Sequence, residues 1–192
     1  MEDKLDSLYR DLLEQQDKEQ ARLPPVARWS PPLSGDIDIR IAADGVWYHE
    51  GAVITRAPLV KLFSSILKRE QDDYFLVTPV EKWRIQVDDA PFFVTAMEVA
   101  RRDGQQALFF STSTDDRVLA DAEHPLRIDL NPQTGEPRPY IMVRDAMEGL
   151  ISRPVYYRMA ELLEESRQHG KTVLGLSSMS CFFPVIRAFP VT

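Results

Sequence analysis

A single cysteine, Cys181, is all the thiol the chain has, so no disulfide framework and no CxxC metal or redox motif can form within it. A reducing cytoplasm is the compartment this implies. Histidine is nearly as scarce. His49, His124 and His169 lie far apart with no HxxxH or HExxH spacing, which argues against a metal site. No apolar run approaches the ~20 residues of a membrane span. The acidic start, MEDKLDSLYRDLLEQQ, also lacks the apolar core of a signal peptide, so neither export nor membrane insertion is expected. Positive charge is in deficit: 23 Lys and Arg against 30 Asp and Glu leave a net charge of -7 and a field that repels nucleic acid. GxSxG, GxxxxGK(S/T) and GxGxxG are all missing, and with them three common devices for nucleophilic attack and phosphate or dinucleotide binding. Cys181, between Ser180 and Phe182, reads as a small buried hydrophobe, because nothing nearby would lower its pKa. No cofactor is indicated.

What is present suits a globular chain: 192 residues, 44% hydrophobic and 28% charged. Leu5, Leu8, Tyr9 and Leu12 keep helical spacing, so the first twenty or so residues predict an amphipathic helix. LPPVARWSPPLSGD follows as a proline-rich lead-in, with Trp29 as its anchor onto the folded part. From Asp36 the period becomes two. Ile37, Ile39 and Ile41 predict a half-buried strand, Ala43-Asp44-Gly45 a turn and Val46 to His49 the return. Leu59, Leu62, Phe63, Ile66 and Leu67 predict a helix over 58–68, ended by Asp72-Asp73. Strands are predicted at 74–77, around Trp83 to Val87, at 92–100 and at 107–110, the last two joined by Arg102-Asp103-Gly104. The second half repeats the order: strands at 126–130 and 140–143 about the turn NPQTGEP, a helix over 154–168, and a strand at 173–176. The expected division is a lead-in over 1–35, an α+β domain over 36–90 and a second over 91–192.

Two strand-strand-helix-strand units suggest an internal duplication. The detail supports it, since Ile54-Thr55-Arg56 precedes Pro58 much as Ile151-Ser152-Arg153 precedes Pro154. The bland reading is coincidence, because hydroxyl residues and prolines are common at any helix start.

Gly-Asp-Ile-Asp, Asp-Gly-x-Trp, His-Glu-Gly, Ile-x-Arg and Thr-Pro-Val-Glu occur in that order between Gly35 and Glu81. In these motifs the chain resembles the bacterial proteins grouped as the domain of unknown function numbered 1285, from about Pro24 to the carboxyl end. The resemblance implies a two-part α+β fold with a duplicated core, its second part loosely pleckstrin-homology-like. It implies no established activity, and a ligand site in the cleft between the parts, for a nucleotide-like molecule in signalling.

Several residues are candidates for that site. His49 beside Glu50 has the makings of an acid-base pair, but neighbours on a strand point to opposite faces, so an architectural role competes. Thr55 and Ser152 can cap the first turns of their helices, which would leave Arg56 and Arg153 beside an anion site. If the repeats pack face to face, the two arginines converge on one phosphate or carboxylate. Against this stands an internal salt bridge for each arginine, for instance to Glu81. Arg40 lies opposite the buried isoleucines, where it is solvated or lines a groove. Trp47 and Trp83 offer flat surfaces for a base, or else pack in the core. The pairs Asp72-Asp73, Asp88-Asp89 and Asp115-Asp116 read as solvated turn charges.

The reading that follows is a cytoplasmic bacterial protein that binds a small anionic ligand through Arg40, Trp47, His49, Thr55, Arg56, Glu81, Ser152 and Arg153, without chemistry of its own. The alternative is a protein-interaction module with a protein partner, served by the amino-terminal helix. A hydrolase using His49 and Glu50 is the third.

Overall fold

A computed structural model describes residues 23–168 and 171–186. The predicted amino-terminal helix and His169 lie outside the described residues. The chain divides into two compact units, one made by the described residues up to Ala42 with Val46–Asp88, the other by Ala43–Gly45 with the described residues from Asp89 on. Both are rich in strand, so the α+β class takes a mostly-β form with two six-stranded mixed sheets and a small third sheet.

In the first unit a 3-10 turn at Val26–Arg28 buries Val26 with Phe75 and Val77, and Trp29 packs on the same cluster. Strands β1 (Leu33–Ile41), β2 (Trp47–His49) and β3 (Ala52–Val53) lead into helix α1 (Ala57–Ser65), followed by β4 (Leu67–Glu70), β5 (Asp73–Val77) and β6 (Lys82–Val87). The sheet order is β3-β2-β1-β6-β5-β4, with β1 and β6 parallel and every other pair antiparallel. Helix α1 therefore carries the chain from one sheet edge to the other. Its buried residues, including Leu59, Leu62 and Phe63, join Ile39, Ile41 and Trp47 in the core.

The helix is shorter than its apolar stripe predicts. Ser64 and Ser65 donate to the carbonyls of Lys61 and Leu62 in the last turn, and Ile66 leaves helical geometry at φ -108°, ψ 12°. Such back-bonding competes with continued helix, and Leu67 pairs with Leu76 in the sheet instead. Ile66 and Leu67 satisfy both periods, so the stripe alone could not separate helix from strand. The turn after β4 is made at Gln71, at φ 58°, with Asp73 already in β5.

The second unit opens with β7 (Phe92–Arg102), β8 (Gln105–Thr112) and β9 (Arg117–Leu119), then β10 (Leu126–Leu130), β11 (Pro137–Arg144) and β12 (Met147–Ile151). Its order is β10-β11-β12-β7-β8-β9, with β12 and β7 the parallel pair. Read from the other edge, this is the winding of the first unit: two three-stranded meanders whose first and last strands meet in the centre. Here the edge-to-edge link is the short stretch from β9 to β10, in which Asp121 Oδ1 caps the amides of Glu123 and His124 at 2.9 Å each. Even fully extended, its seven steps of ~3.5 Å would only just match five strand spacings of ~4.8 Å. A turn within the link shortens it further, so the sheet curls and brings its edges together.

Helix α2 (Arg153–Ala160) follows the central strand β12, so the two helices occupy different places in the shared winding. The repeated element is the six-stranded winding, and the strand-strand-helix-strand unit expected from sequence does not describe either half. The predicted helix over 154–168 is likewise two elements, because Glu164–Gln168 forms β13, paired with β14 (Lys171–Ser178), which pairs with β15 (Cys181–Ile186). Glu164 to Gln168 is polar and would suit an exposed helix face. Ladder pairing overrides that local preference. The third sheet docks on β8, where buried Ser178 accepts from Leu108 N at 3.0 Å and Met179 N donates to Gln106 O at 2.7 Å. Cys181 is only half-buried in β15, so it is not the core residue its flanking aromatics predict.

Candidate functional site

The second unit contains a cleft of about 350 Å³ beside the start of α2. The sequence builds it by alternation. In Pro137-Arg138-Pro139-Tyr140, Arg138 and Tyr140 share one face of β11, and pairing continues that face across the sheet: Phe93 lies beside Leu150, Leu150 beside Tyr140, and Tyr140 beside Arg127. At one end of the row the Arg127 guanidinium lies 4.2 Å from the Tyr140 ring centroid and forks onto Glu148 at 2.6 Å twice, with Asp129 a further partner. The Glu148 contact raises the Arg127 pKa, against the opposing effect of burial. At the other end Phe93, Leu150 and Tyr156 form apolar walls of the cleft.

Arg138 is fixed from behind. Its Nη2 donates to Asp89 Oδ2 at 2.6 Å, and the other Asp89 oxygen accepts the Tyr140 hydroxyl at 2.9 Å. Burial, reinforced by that carboxylate, pushes the Tyr140 pKa up to about 12. Arg153 lies across the cleft and donates to Glu136 at 2.8 Å, with both side chains largely exposed at 71% and 56%. Glu136 is carried by a turn in which Asn131 Oδ1 accepts the amides of Gln133 and Thr134 at 2.9 and 3.2 Å. The Ala43–Gly45 turn completes the wall, bringing Asp44. In α2 the first intrahelical bond runs from Tyr156 N to Ser152 O at 2.9 Å, so the amides of Arg153 and Val155 precede it, as orphan donors of a helix start do.

The predicted site residues separate. Ser152 and Arg153 line the cleft. Ser152 is the N-cap of α2, but its side chain makes no capping bond. Thr55 is not the cap of α1; Arg56 is, again without a side-chain capping bond, and both Thr55 and Arg56 are exposed. Each proline is the second residue of its helix, so Arg56 corresponds to Ser152, and Arg153 to Ala57. The two arginines are therefore not equivalent in the two joints.

In the first unit, Arg40 turns away from the core, paired with Asp88 at 2.6 Å and stacked 4.6 Å from the Tyr48 centroid. Trp47 is 2% exposed and lies 6.3 Å from Phe63, which closes its face to a ligand. Trp83 donates its indole N–H to Glu81 at 3.2 Å, so Glu81 serves a tryptophan. His49 is the half-buried last residue of β2, on the Trp47 side of the sheet, while Glu50 and Gly51, at φ 49° and 78°, make a two-residue hairpin turn of type I′ character. Their adjacency in sequence is the chemistry of a tight turn. Two predicted solvated aspartates are structural as well. Asp89 holds Arg138, and Asp116, 14% exposed, accepts from Thr112 and Thr114 and pairs with Arg144 at 3.3 Å.

Reading the sequence missed Arg138, Asp89, Glu136 and Tyr156. The usable signal was the strand alternation that puts Arg138 beside Tyr140 on a single face. Among the described residues no group of three or more His, Cys, Asp or Glu could hold a metal ion, and no helix is long and apolar enough to cross a membrane.

Comparison with known proteins places this site in a family. Residues 24–90 match the model "Domain of unknown function (DUF1285), N-terminal domain", and residues 91–185 match "Protein of unknown function (DUF1285), C-terminal domain". The chain belongs to the DUF1285 family. A crystal structure of a DUF1285 protein from Silicibacter pomeroyi DSS-3 is 45% identical, with a TM-score of 0.79, over 91% of this chain and 94% of that one. Another, from Shewanella baltica OS155, is 32% identical with a TM-score of 0.51, over 64% of this chain and 90% of that one. None of the curated proteins compared with the chain matches it. The DUF1285 match spans both units, and the cleft is lined mostly by residues of the C-terminal domain match, with Ala43 and Asp44 coming from the stretch matched to the N-terminal domain.

Proposed function

We propose that this DUF1285 protein binds a small anionic, nucleotide-like ligand in signalling, without chemistry of its own, and that the anionic group is taken by the cleft of the second unit. The observation that carries this reading is Arg138. Asp89 engages one of its nitrogens, Nη2, and thereby orients the guanidinium while leaving its other N–H groups for the cleft. A planar fork held from behind is suited to a carboxylate or phosphate. Arg153 adds a second guanidinium. Its pairing with Glu136 does not oppose this role, because an exposed ion pair is worth only ~0–1 kcal/mol and is readily exchanged. Orphan amides at the start of α2 favour the same charge. The apolar walls supply a surface for a ring or an aliphatic group.

On the same reading the fold carries history. The shared winding of the two six-stranded sheets supports duplication, and a curled sheet followed directly by one helix supports the loosely pleckstrin-homology-like description of the second unit.

Calorimetry on the whole chain with mononucleotides, cyclic nucleotides and small carboxylates including free amino acids tests the reading. Binding by the wild type, lost in Arg138→Ala and weakened in Arg153→Ala, is expected. An affinity untouched by Arg138→Ala, or silence from the whole panel at millimolar concentration, would refute it.

A further inference from the structure

The cleft carries both signs of charge. Arg138 and Arg153 share it with Glu136 and Asp44, and Asp89 stands directly behind Arg138. Two guanidiniums are thus set among three carboxylates. A ligand that brings only negative charge meets these carboxylates as well as the arginines, and each added charge increases the repulsion. A polyphosphate is the worst case. A ligand with an anionic and a cationic end meets the opposite situation, since each end has a partner and the total charge of the cleft is unchanged.

The Glu136–Arg153 contact gives this a mechanism. It already joins a carboxylate to a guanidinium across the cleft, in the open and at 2.8 Å. An incoming carboxylate that takes the place of Glu136 on Arg153 would leave Glu136 uncompensated, unless the same ligand supplies a cation to it. An α-ammonium group stands one carbon from its carboxylate and can do so. The remaining walls, Phe93, Leu150 and Tyr156, are apolar, and the volume of about 350 Å³ lies at the small end of ligand cavities.

We propose that the ligand is a small zwitterion, a free amino acid or dipeptide with an apolar side chain, its carboxylate on Arg138 and Arg153, its ammonium on Glu136 and Asp44, and its side chain against Phe93, Leu150 and Tyr156. This rests on the reading of the same cleft as an anion site and replaces the nucleotide-like ligand of that reading with a zwitterion. Binding exchanges one internal ion pair for two across the ligand, and no bond is made or broken.

The test is calorimetry on the whole chain with L-leucine, L-phenylalanine and the dipeptide Leu-Phe. Each is compared with its N-acetyl and its amide form, and AMP and inorganic phosphate are run beside them. At least one of the three zwitterions should bind, with either capped form at least tenfold weaker. Glu136→Gln should weaken that zwitterion at least tenfold without changing the thermal midpoint, while leaving phosphate unaffected or tighter. An N-acetyl form that binds as well as its parent would overturn the zwitterion. So would binding of AMP or phosphate with none of the three zwitterions, although the anion site would then stand. If nothing in the set binds, both readings fall.

Discussion

Tyr140 donates its hydroxyl to Asp89 Oδ1 at 2.9 Å, in the same carboxylate that Arg138 holds through the other oxygen. Burial and this carboxylate both favour the protonated phenol and raise its pKa to about 12. A raised pKa in the folded state means that folding holds the proton more tightly. Its contribution to stability is therefore complete below the ordinary tyrosine value of ~10 and is lost as pH climbs through about 12. Tyrosinate absorbance, read as the difference between wild type and Tyr140→Phe, should show this group titrating well above the ordinary tyrosine value. Asp89→Asn should bring it down part of the way, since burial remains. A Tyr140 that titrates with the exposed tyrosines would contradict the contact.

Gly45 offers a backbone test on the wall of the cleft. It sits at φ 79°, and a Cβ there would meet the Phe93 Cβ at 2.4 Å. Gly45→Ala combines a strained conformation with a clash against a side-chain stem that cannot move far. A loss of about 2 kcal/mol is expected in chemical denaturation, whereas Gly51→Ala, with open space around the Cβ, should cost about 1 kcal/mol from conformation alone.

These positions also show what was legible. Ile37, Ile39 and Ile41 announced β1 because one face of that strand is buried and the other is not. Asp-Gly and Glu-Gly marked turns because positive φ selects glycine. Both helix ends were misplaced for a different reason. Leu67 in α1's stripe, and Leu162 and Leu163 beyond α2, satisfy helical spacing, but the neighbouring residues are claimed by the next strand along, through the hairpins β4-β5 and β13-β14, whose turns lack the Asn-Gly or Asp-Gly signal that would have marked them. The cleft was half legible. Ser152 and Arg153 stood out through a supposed repeat that the helix starts do not obey, while Arg138 became visible only when β11 and β12 set it opposite them.

Glu50 is the first residue of a two-residue turn and holds φ 49°, a conformation that asparagine tolerates better than glutamate. Glu50→Asn should stabilise the protein by about 0.5 kcal/mol, seen as a raised thermal midpoint. A clear loss of stability would point to a role for this carboxylate beyond the turn.

Asp116 closes the loop after β8 by accepting from Thr114 at 2.9 Å and Thr112 at 3.1 Å, with Arg144 on its other oxygen. Asp116→Ala would remove the acceptor shared by two buried hydroxyls, which keep each other at 3.1 Å, and the carboxylate partner of a mostly buried guanidinium. A cost of about 3 kcal/mol is expected in urea denaturation. Asp116→Asn keeps an acceptor and should cost less, and equal losses from the two would show that charge alone matters.

Arg40 and Trp47, on the paired strands β1 and β2 and both once candidates for a ligand surface, separate most clearly by stability. Trp47 is 2% exposed against Phe63, so Trp47→Ala leaves a large cavity and should cost about 3–5 kcal/mol. Arg40 pairs with Asp88 where the side chains are 38% and 40% exposed, so Arg40→Ala should stay within about 1 kcal/mol. Its share of that loss should shrink in high salt, because the pair is screened and the tryptophan contact is not. Comparing both variants by denaturation at low and high ionic strength checks the assignment. A salt-insensitive loss above that bound for Arg40→Ala would mean that its stacking on Tyr48, and not its charge, holds the strand pair together.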